Sequence, residues 1–299
     1  MRWLLGALLL LAFAGACSSS NDASRGLSLS PAGSTATPSG SATPFRTSGA
    51  VQTTATPPLT TPLYIALGDS LSEGVGASDP ATTAFVPLVH EHLGDGFQLL
   101  NLGHSGDTSD QLLSHGHLDQ AIAEIVQRKG DNDPNNDVKL VTLEIGGNDL
   151  LNLYFRLVIP GTCPTVQESL QKPECWGALR STLDAYKPNL KKTLDRLREA
   201  DPNLRLVLMT LCNPFSGGIQ VFDELGQLGL EGLPDTPFPQ GLNDFIRAQA
   251  QESGVILVDW YPLFQGKALQ YISGDLIHPN DEGYRMMADA VIAALEGTR

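Results

Sequence analysis

Five residues spread along the chain carry groups able to divide the work of acyl transfer: Ser70, Gly103, Asn148, Asp275 and His278. That chemistry needs a nucleophile, a base within hydrogen-bond reach, a group that orients the base, and donors for the oxyanion. Ser70 is the candidate nucleophile and His278 its base. Asp275, just ahead of the histidine in DLIHP, can accept the other imidazole N–H and fix the tautomer. The backbone N–H groups of Ser70 and Gly103 and the side-chain amide of Asn148 would meet the developing negative charge. Each such donor contributes about 3–4 kcal/mol in the transition state. The reaction calls for no cofactor.

Each residue also has a plainer reading. Ser70 could cap a helix, Gly103 and Asn148 could serve turns, and His278 could be a surface histidine. Position separates the two readings. Residues 64–76 read YIALGDSLSEGVG, an alternating apolar run that delivers Ser70 onto a tight turn. A second strand over 97–102 ends at Gly103, and a β-branched third over 138–145 runs into Gly146, Gly147, Asn148 and Asp149. Strands over 204–211 and 255–260 follow, and Asp275 and His278 lie on the loop after the fifth.

Helical spacing occupies 82–93, 107–113, 118–128, 176–200, 242–252 and 281–295, with Pro188 marking a break or kink in the fourth. Alternating strands and helices predict a parallel five-stranded sheet covered on both faces, a three-layer α/β/α sandwich. Ligands of such sheets bind beyond the carboxyl ends of the strands, where all five residues fall. Residues 150–173 read as irregular, and 212–239, with five glycines and four prolines, as a loop holding one short amphipathic piece.

No G-x-S-x-G surrounds Ser70, which disfavours an α/β-hydrolase elbow. Instead, Gly68-Asp69-Ser70-Leu71, Gly103 within NLGHSG, Gly146-Gly147-Asn148-Asp149 and Asp275-Leu276-Ile277-His278-Pro279 resemble the four blocks of the GDSL or SGNH hydrolases, in their usual order. The resemblance implies a flavodoxin-like sandwich and a serine esterase or lipase activity. It puts Ser70, Gly103, Asn148 and His278 in the four name-giving roles and implies that Asp275 completes a triad, although some relatives orient the histidine through a backbone carbonyl. Asp69 and Asp149 are read as structural acceptors for nearby N–H groups.

The apolar run that includes Leu151, Leu153, Tyr154, Phe155, Leu157, Val158 and Ile159 follows Asn148 directly. It reads either as an acyl-binding surface, with Phe155 and Leu157 as contacts, or as a local core packed under the next helix. The leading function is cleavage of lipid or other aliphatic acyl esters, a lysophospholipid among them, through an acyl-Ser70 intermediate. A carbohydrate O-acetylesterase or an acyltransferase would use the same residues. A lipid-anchored binding protein without turnover is the alternative of another class.

The amino terminus has a different character. Met1 and Arg2 precede an apolar run over 3–13, too short to span a bilayer but fit for a signal-peptide core. Residues 1–16 are read as that signal peptide. Cys17, after Ala14, Gly15 and Ala16, is the expected lipidation site, although Ala14 stands where a lipobox usually has Leu. Residues 17–62 form a Ser/Thr/Pro/Gly linker, too poor in apolar side chains to offset its ordering entropy. The hydrolase domain is 63–299. This predicts an exported monomer anchored by lipid to a bacterial membrane, with free secretion as the alternative.

Removing Arg2, Arg25, Arg46 and Asp22 from the 19 basic and 33 acidic side chains leaves 16 and 32 in the domain. That balance argues against nucleic acid or an anionic membrane surface as a partner. In an exported chain Cys163 and Cys175, flanking a short loop, are expected to form a disulfide worth about 3 kcal/mol, leaving Cys212 free and buried. The pairs His90/His92 and His115/His117, and the acidic run Asp131, Asp133, Asn135 and Asp137, resemble fragments of metal sites. Surface positions and a solvated loop are the preferred readings, since the run lacks the turn glycine and terminal Glu of a calcium loop. No metal is expected.

Overall fold

The computed structural model describes residues 60–297. The expected signal peptide, Cys17 and nearly all of the linker lie outside the described residues.

Strand β1 (Leu63–Gly68) is buried along its whole length, and its alternation builds two cores at once. Leu63, Ile65 and Leu67 point into one apolar cluster and Tyr64 and Ala66 into the other. A strand covered on both faces must be apolar at both parities, which explains its unbroken hydrophobic run. Strands β2 (Gln98–Gly103), β3 (Val138–Leu143), β4 (Leu206–Met209) and β5 (Ile256–Val258) complete a parallel sheet in the order β2-β1-β3-β4-β5. After β1 the chain moves outward to β2 and then crosses to β3 on the opposite side. The crevice beyond β1 and β3 is therefore the topological switch point where ligands bind.

Helix α1 (Ser70–Glu73) opens directly after β1, followed by α2 (Phe85–Leu93). Helices α3 (Ser109–Ser114) and α4 (His117–Gly130) lie between β2 and β3. The stretch 150–173, expected to be irregular, is largely helical. Helix α5 (Gly147–Leu153) continues into a π-turn over Tyr154–Val158, with Ile159 N–H donating to Tyr154 O at 3.0 Å. Helix α6 (Val166–Gln171) follows.

Helix α7 (Pro173–Ala200) starts earlier than its periodicity suggested and runs through Pro188 without ending. Proline suits its first position, where no intrahelical N–H bond is made. Pro188 faces solvent, while Leu183, Tyr186, Leu190, Leu194 and Leu197 hold the opposite face in the core. That burial outweighs the lost hydrogen bond. Helix α8 (Gln220–Glu231) occupies much of the expected loop. Arg247 on α9 (Leu242–Ser253) fastens its end, reaching Glu231 at 2.8 Å and Asp259 at 3.0 Å. The chain closes through α10 (Tyr261–Phe264), α11 (Ala268–Tyr271) and α12 (Asp281–Gly297). Among the described residues no helix is long and apolar enough to cross a membrane.

Candidate active site

The turn that carries Ser70 is assembled from two strand ends. A Cβ on Gly68 would lie 2.4 Å from the Glu144 backbone and side-chain oxygens, so only glycine lets Glu144 come this close. Glu144 Oε1 accepts from Asp69 N at 2.9 Å, Ser72 N at 3.1 Å and Ser72 Oγ at 3.0 Å. Asp69 in turn accepts from Leu71 N at 3.1 Å and caps α1. Ser70 is the first residue of that helix, where the backbone N–H has no helical carbonyl to bond.

Both carboxyls are buried, and burial raises each above its ordinary range. Asp69 is pushed up to about 6, against the pull of the Leu71 N–H and the charge of His278. Glu144 is held well above the usual carboxylate range by burial and then by the charge of Asp69. Its second oxygen, Oε2, has no hydrogen-bond partner among the described residues. Sequence reasoning passed over Glu144, although an acidic residue inside the apolar run VTLEIGG is a visible signal.

His278 bridges the other two members of the proposed triad. Its Nε2 lies 2.9 Å from Ser70 Oγ and its Nδ1 2.6 Å from Asp275 Oδ2. The loop that presents it is closed by a bridge between Ile272 and Pro279, and Leu276 sits at φ 67° in its turn. Asp275 Oδ1 accepts from Ser273 Oγ, Ile277 N and His278 N, each at 2.9 Å. Burial alone would raise Asp275. The His278 ring and the two backbone N–H groups outweigh it and hold the carboxyl well below the usual range. An ionised Asp275 beside Nδ1 leaves Nε2 free to take the serine proton.

Asn148 stands in the first turn of α5, and its Nδ2 donates to Asp69 Oδ2 and to Asp107 O, both at 3.1 Å. Gly103, expected as an oxyanion donor, lies at the end of β2 beside Gly68. Its N–H donates to Asn101 Oδ1 at 3.0 Å, and Asn101 Nδ2 donates on to Ser72 O at 2.7 Å. A Cβ on Gly103 would lie 2.5 Å from Glu73 N, so the glycine is required by the close approach of β2 to α1. Asp149 is an acceptor, as expected, for Ser109 N at 2.8 Å and Ser109 Oγ at 2.7 Å.

A cavity of about 170 Å³ opens beside Ser70, His278 and Asn148. Leu150, Leu151, Tyr154, Leu157 and Val158 form one wall, and Leu225, Leu228 and Leu230 of α8 face them. Leu157 thus lines the cavity as expected, but Phe155 does not. The helical winding turns Phe155 aside, with its ring edge-on to Tyr154 at 5.5 Å between centroids. Reading 150–158 as irregular hid the helical period that selects residues 150, 151, 153, 154, 157 and 158. The contribution of α8 was missed for the same reason.

Cys163 and Cys175 form the expected disulfide at the back of this wall. Cys212 is free and buried, and burial pushes its thiol up to about 12, so it lines the cavity as an apolar group. His90 bonds to Phe97 O while His92 faces Glu296, so that pair diverges. In the acidic loop, Asp131 and Asp133 accept from the N–H groups of Asp133 and Asn135, which is turn chemistry.

A doubly wound parallel sheet with a Ser–His–Asp chain at its carboxyl edge defines the class as a serine hydrolase outside the nucleophile-elbow group. The chain belongs to the GDSL-like Lipase/Acylhydrolase family, whose model matches residues 66–286, and it is a carboxylic ester hydrolase. It is 24% identical to the spore germination lipase LipC of Bacillus licheniformis over 77% of this chain and 95% of that one. YpmR of Bacillus subtilis is 25% identical over 77% of this chain and 80% of its own. Among solved structures, the lipase Lip_vut3 from a goat rumen metagenome shares the fold with a TM-score of 0.56. It is 23% identical, over 78% of this chain and 97% of that one.

Proposed function

We propose that the protein is an exported, lipid-anchored esterase that cleaves aliphatic acyl esters through an acyl-Ser70 intermediate. The observation that carries the acyl preference is the apolar cavity against Ser70 Oγ. An apolar space of about 150 Å³ takes a benzene molecule, so 170 Å³ suits an acyl group of about six carbons. Lipid esters fit this wall, and an acetylated sugar would leave most of it unfilled. The apolar leader followed by Cys17 supports export and anchoring.

In the proposed reaction, His278 Nε2 takes the Ser70 proton as Oγ attacks the ester carbonyl carbon. The resulting oxyanion is met by the Ser70 N–H and the Asn148 amide, which gives up one of its present acceptors. Collapse breaks the C–O bond to the alcohol, which leaves with the proton from His278. Water, deprotonated by the same histidine, then cleaves the acyl-serine and restores the enzyme.

Hydrolysis of p-nitrophenyl esters from acetate to decanoate, with Ser70→Ala as control, tests this reading. The expected optimum lies near hexanoate, with activity lost in the variant and Ser70 labelled by an alkyl phosphonate. A flat or acetate-only profile would remove the acyl preference, and undiminished activity in Ser70→Ala would remove the mechanism.

A further inference from the structure

Outside the catalytic cavity, one cluster is built as a ligand set. His104, Asp107, His115 and His117 bring one donor atom each within 4.8 Å of one another. The sequence suggested surface positions for His115 and His117, and both side chains are part-exposed. The segment after β2 and the start of α4 also bring them to a single carboxylate. His104 Nδ1 lies 3.0 Å and His115 Nδ1 2.8 Å from Asp107 Oδ1, and His117 Nε2 lies 3.8 Å from Asp107 Oδ2. The rings of His104 and His117 stack with centroids 5.0 Å apart.

The second observation is the state of the carboxylate. The Asp107 side chain is 1% exposed, while its histidines are 26–54% exposed and reachable from solvent. Asp107 Oδ2 is buried with no hydrogen-bond partner among the described residues, and His117 stands beyond hydrogen-bond reach of it. A buried carboxylate oxygen without a donor is costly unless a cation neutralises it. Simple histidine–aspartate hydrogen bonds occupy Oδ1 and leave Oδ2 unanswered.

We propose that His104, Asp107, His115 and His117 bind one divalent transition-metal ion, with zinc the best match. Three imidazoles and one carboxylate are borderline ligands that favour zinc over magnesium or calcium. Metal–ligand bonds of 2.0–2.2 Å put tetrahedral neighbours about 3.4 Å apart. The 2.8–3.8 Å contacts to Asp107 bracket that edge, so small side-chain movements close the site.

The ion would tie the segment after β2 to α4. The same segment reaches the catalytic centre, because Asp107 O accepts from Asn148 Nδ2 and His104 follows Gly103. The site is therefore structural, and it steadies the Asn148 side of the cavity without touching substrate. Binding itself does not depend on the catalytic roles proposed above.

The test uses the full chain without an affinity tag, stripped of metal by a chelator and titrated calorimetrically with ZnCl₂, MgCl₂ and CaCl₂. Expected are one zinc per chain, a higher melting temperature with zinc, and no comparable response to magnesium or calcium. The double variant His115→Ala/His117→Ala should lose at least about tenfold in affinity, since even second-shell changes cost 10–100-fold. Should that variant not fold, the wild-type chain loaded with Co²⁺ decides, through the intense visible bands of four-coordinate cobalt. Absence of stoichiometric zinc binding, undiminished binding in the folded variant, or a six-coordinate cobalt spectrum would overturn the proposal.

Discussion

Asn148 Nδ2 donates to Asp69 Oδ2 at 3.1 Å, joining the turn after β1 to the turn after β3 across the switch point of the sheet. The bond lets one buried carboxyl set the orientation of a candidate oxyanion donor and carry a measurable pH signature.

Asp69 binds its proton more tightly in the folded chain, at about 6, than at its ordinary value of 3.8. Between those pH values the folded state holds a proton that the unfolded state has released. Asp69 therefore makes stability fall as pH rises through this window, by about 3 kcal/mol in total. Urea unfolding of the wild type and Asp69→Asn between pH 4 and 7 should show this slope in the wild type and its loss in the variant. Equal slopes would mean that Asp69 titrates normally.

Asp275 shows the opposite sign. Its depressed carboxyl contributes stability above the ordinary carboxylate range, and the contribution is lost only as pH falls below it. Activity near neutral pH should thus be limited by groups other than Asp275. Asp275→Asn keeps an acceptor for the backbone N–H groups but can turn a donor towards His278 Nδ1, favouring the wrong tautomer. A fall in kcat of about 10³–10⁴-fold is expected, together with a lower melting temperature at neutral pH, because the variant loses the stabilisation that the ionised carboxylate contributes.

Leu157 and Phe155 are close in sequence and differ in position, because only Leu157 lines the cavity. Leu157→Ala should lower kcat/KM for hexanoate about tenfold relative to acetate. Phe155→Ala should leave that ratio unchanged. Kinetics on the two esters check both statements, and a ratio shifted equally by the two variants would contradict the placement.

At Gly103 the available space decides the outcome. A methyl group there meets Glu73 N at 2.5 Å, so Gly103→Ala must push β2 away from α1. The expected cost is about 1–3 kcal/mol in chemical denaturation, accompanied by reduced kcat because the displaced turn carries Ser70.

Removal of the bridge between Cys163 and Cys175 frees a short loop beside the cavity. Cys163→Ser/Cys175→Ser should cost about 3 kcal/mol by the chain-entropy account. It should also raise KM for hexanoate more than for acetate. Thermal unfolding and ester kinetics read the two effects separately.

Much of the fold was legible because a doubly covered parallel sheet demands runs apolar at both parities, and β1 and β3 have them. The strand ends at Ser70 and Asn148 were visible for the same reason, marked by glycine and polar residues after apolar runs. Helix α8 was harder to read, since glycines at 226 and 229 break its propensity. Packing supplies what propensity withholds, because a Cβ on Gly226 would meet the Asn213 side chain at 2.5 Å and one on Gly229 would meet Leu150 at 3.2 Å. Pro188 lies inside α7, where the buried face overrides a local penalty.

By itself, the amino-acid sequence determined the residue types available for acyl transfer, their order along the chain and the strand ends that would carry them, because these follow from local periodicity and turn chemistry. Tertiary structure alone decided which of them meet. It set His278 against Ser70 across 208 positions of chain, gave the Gly103 N–H to Asn101, placed Glu144 beneath the nucleophile turn, and gathered three histidines around Asp107. Those outcomes depend on distances between segments remote in the chain, and only packing of the two cores on the sheet establishes such distances.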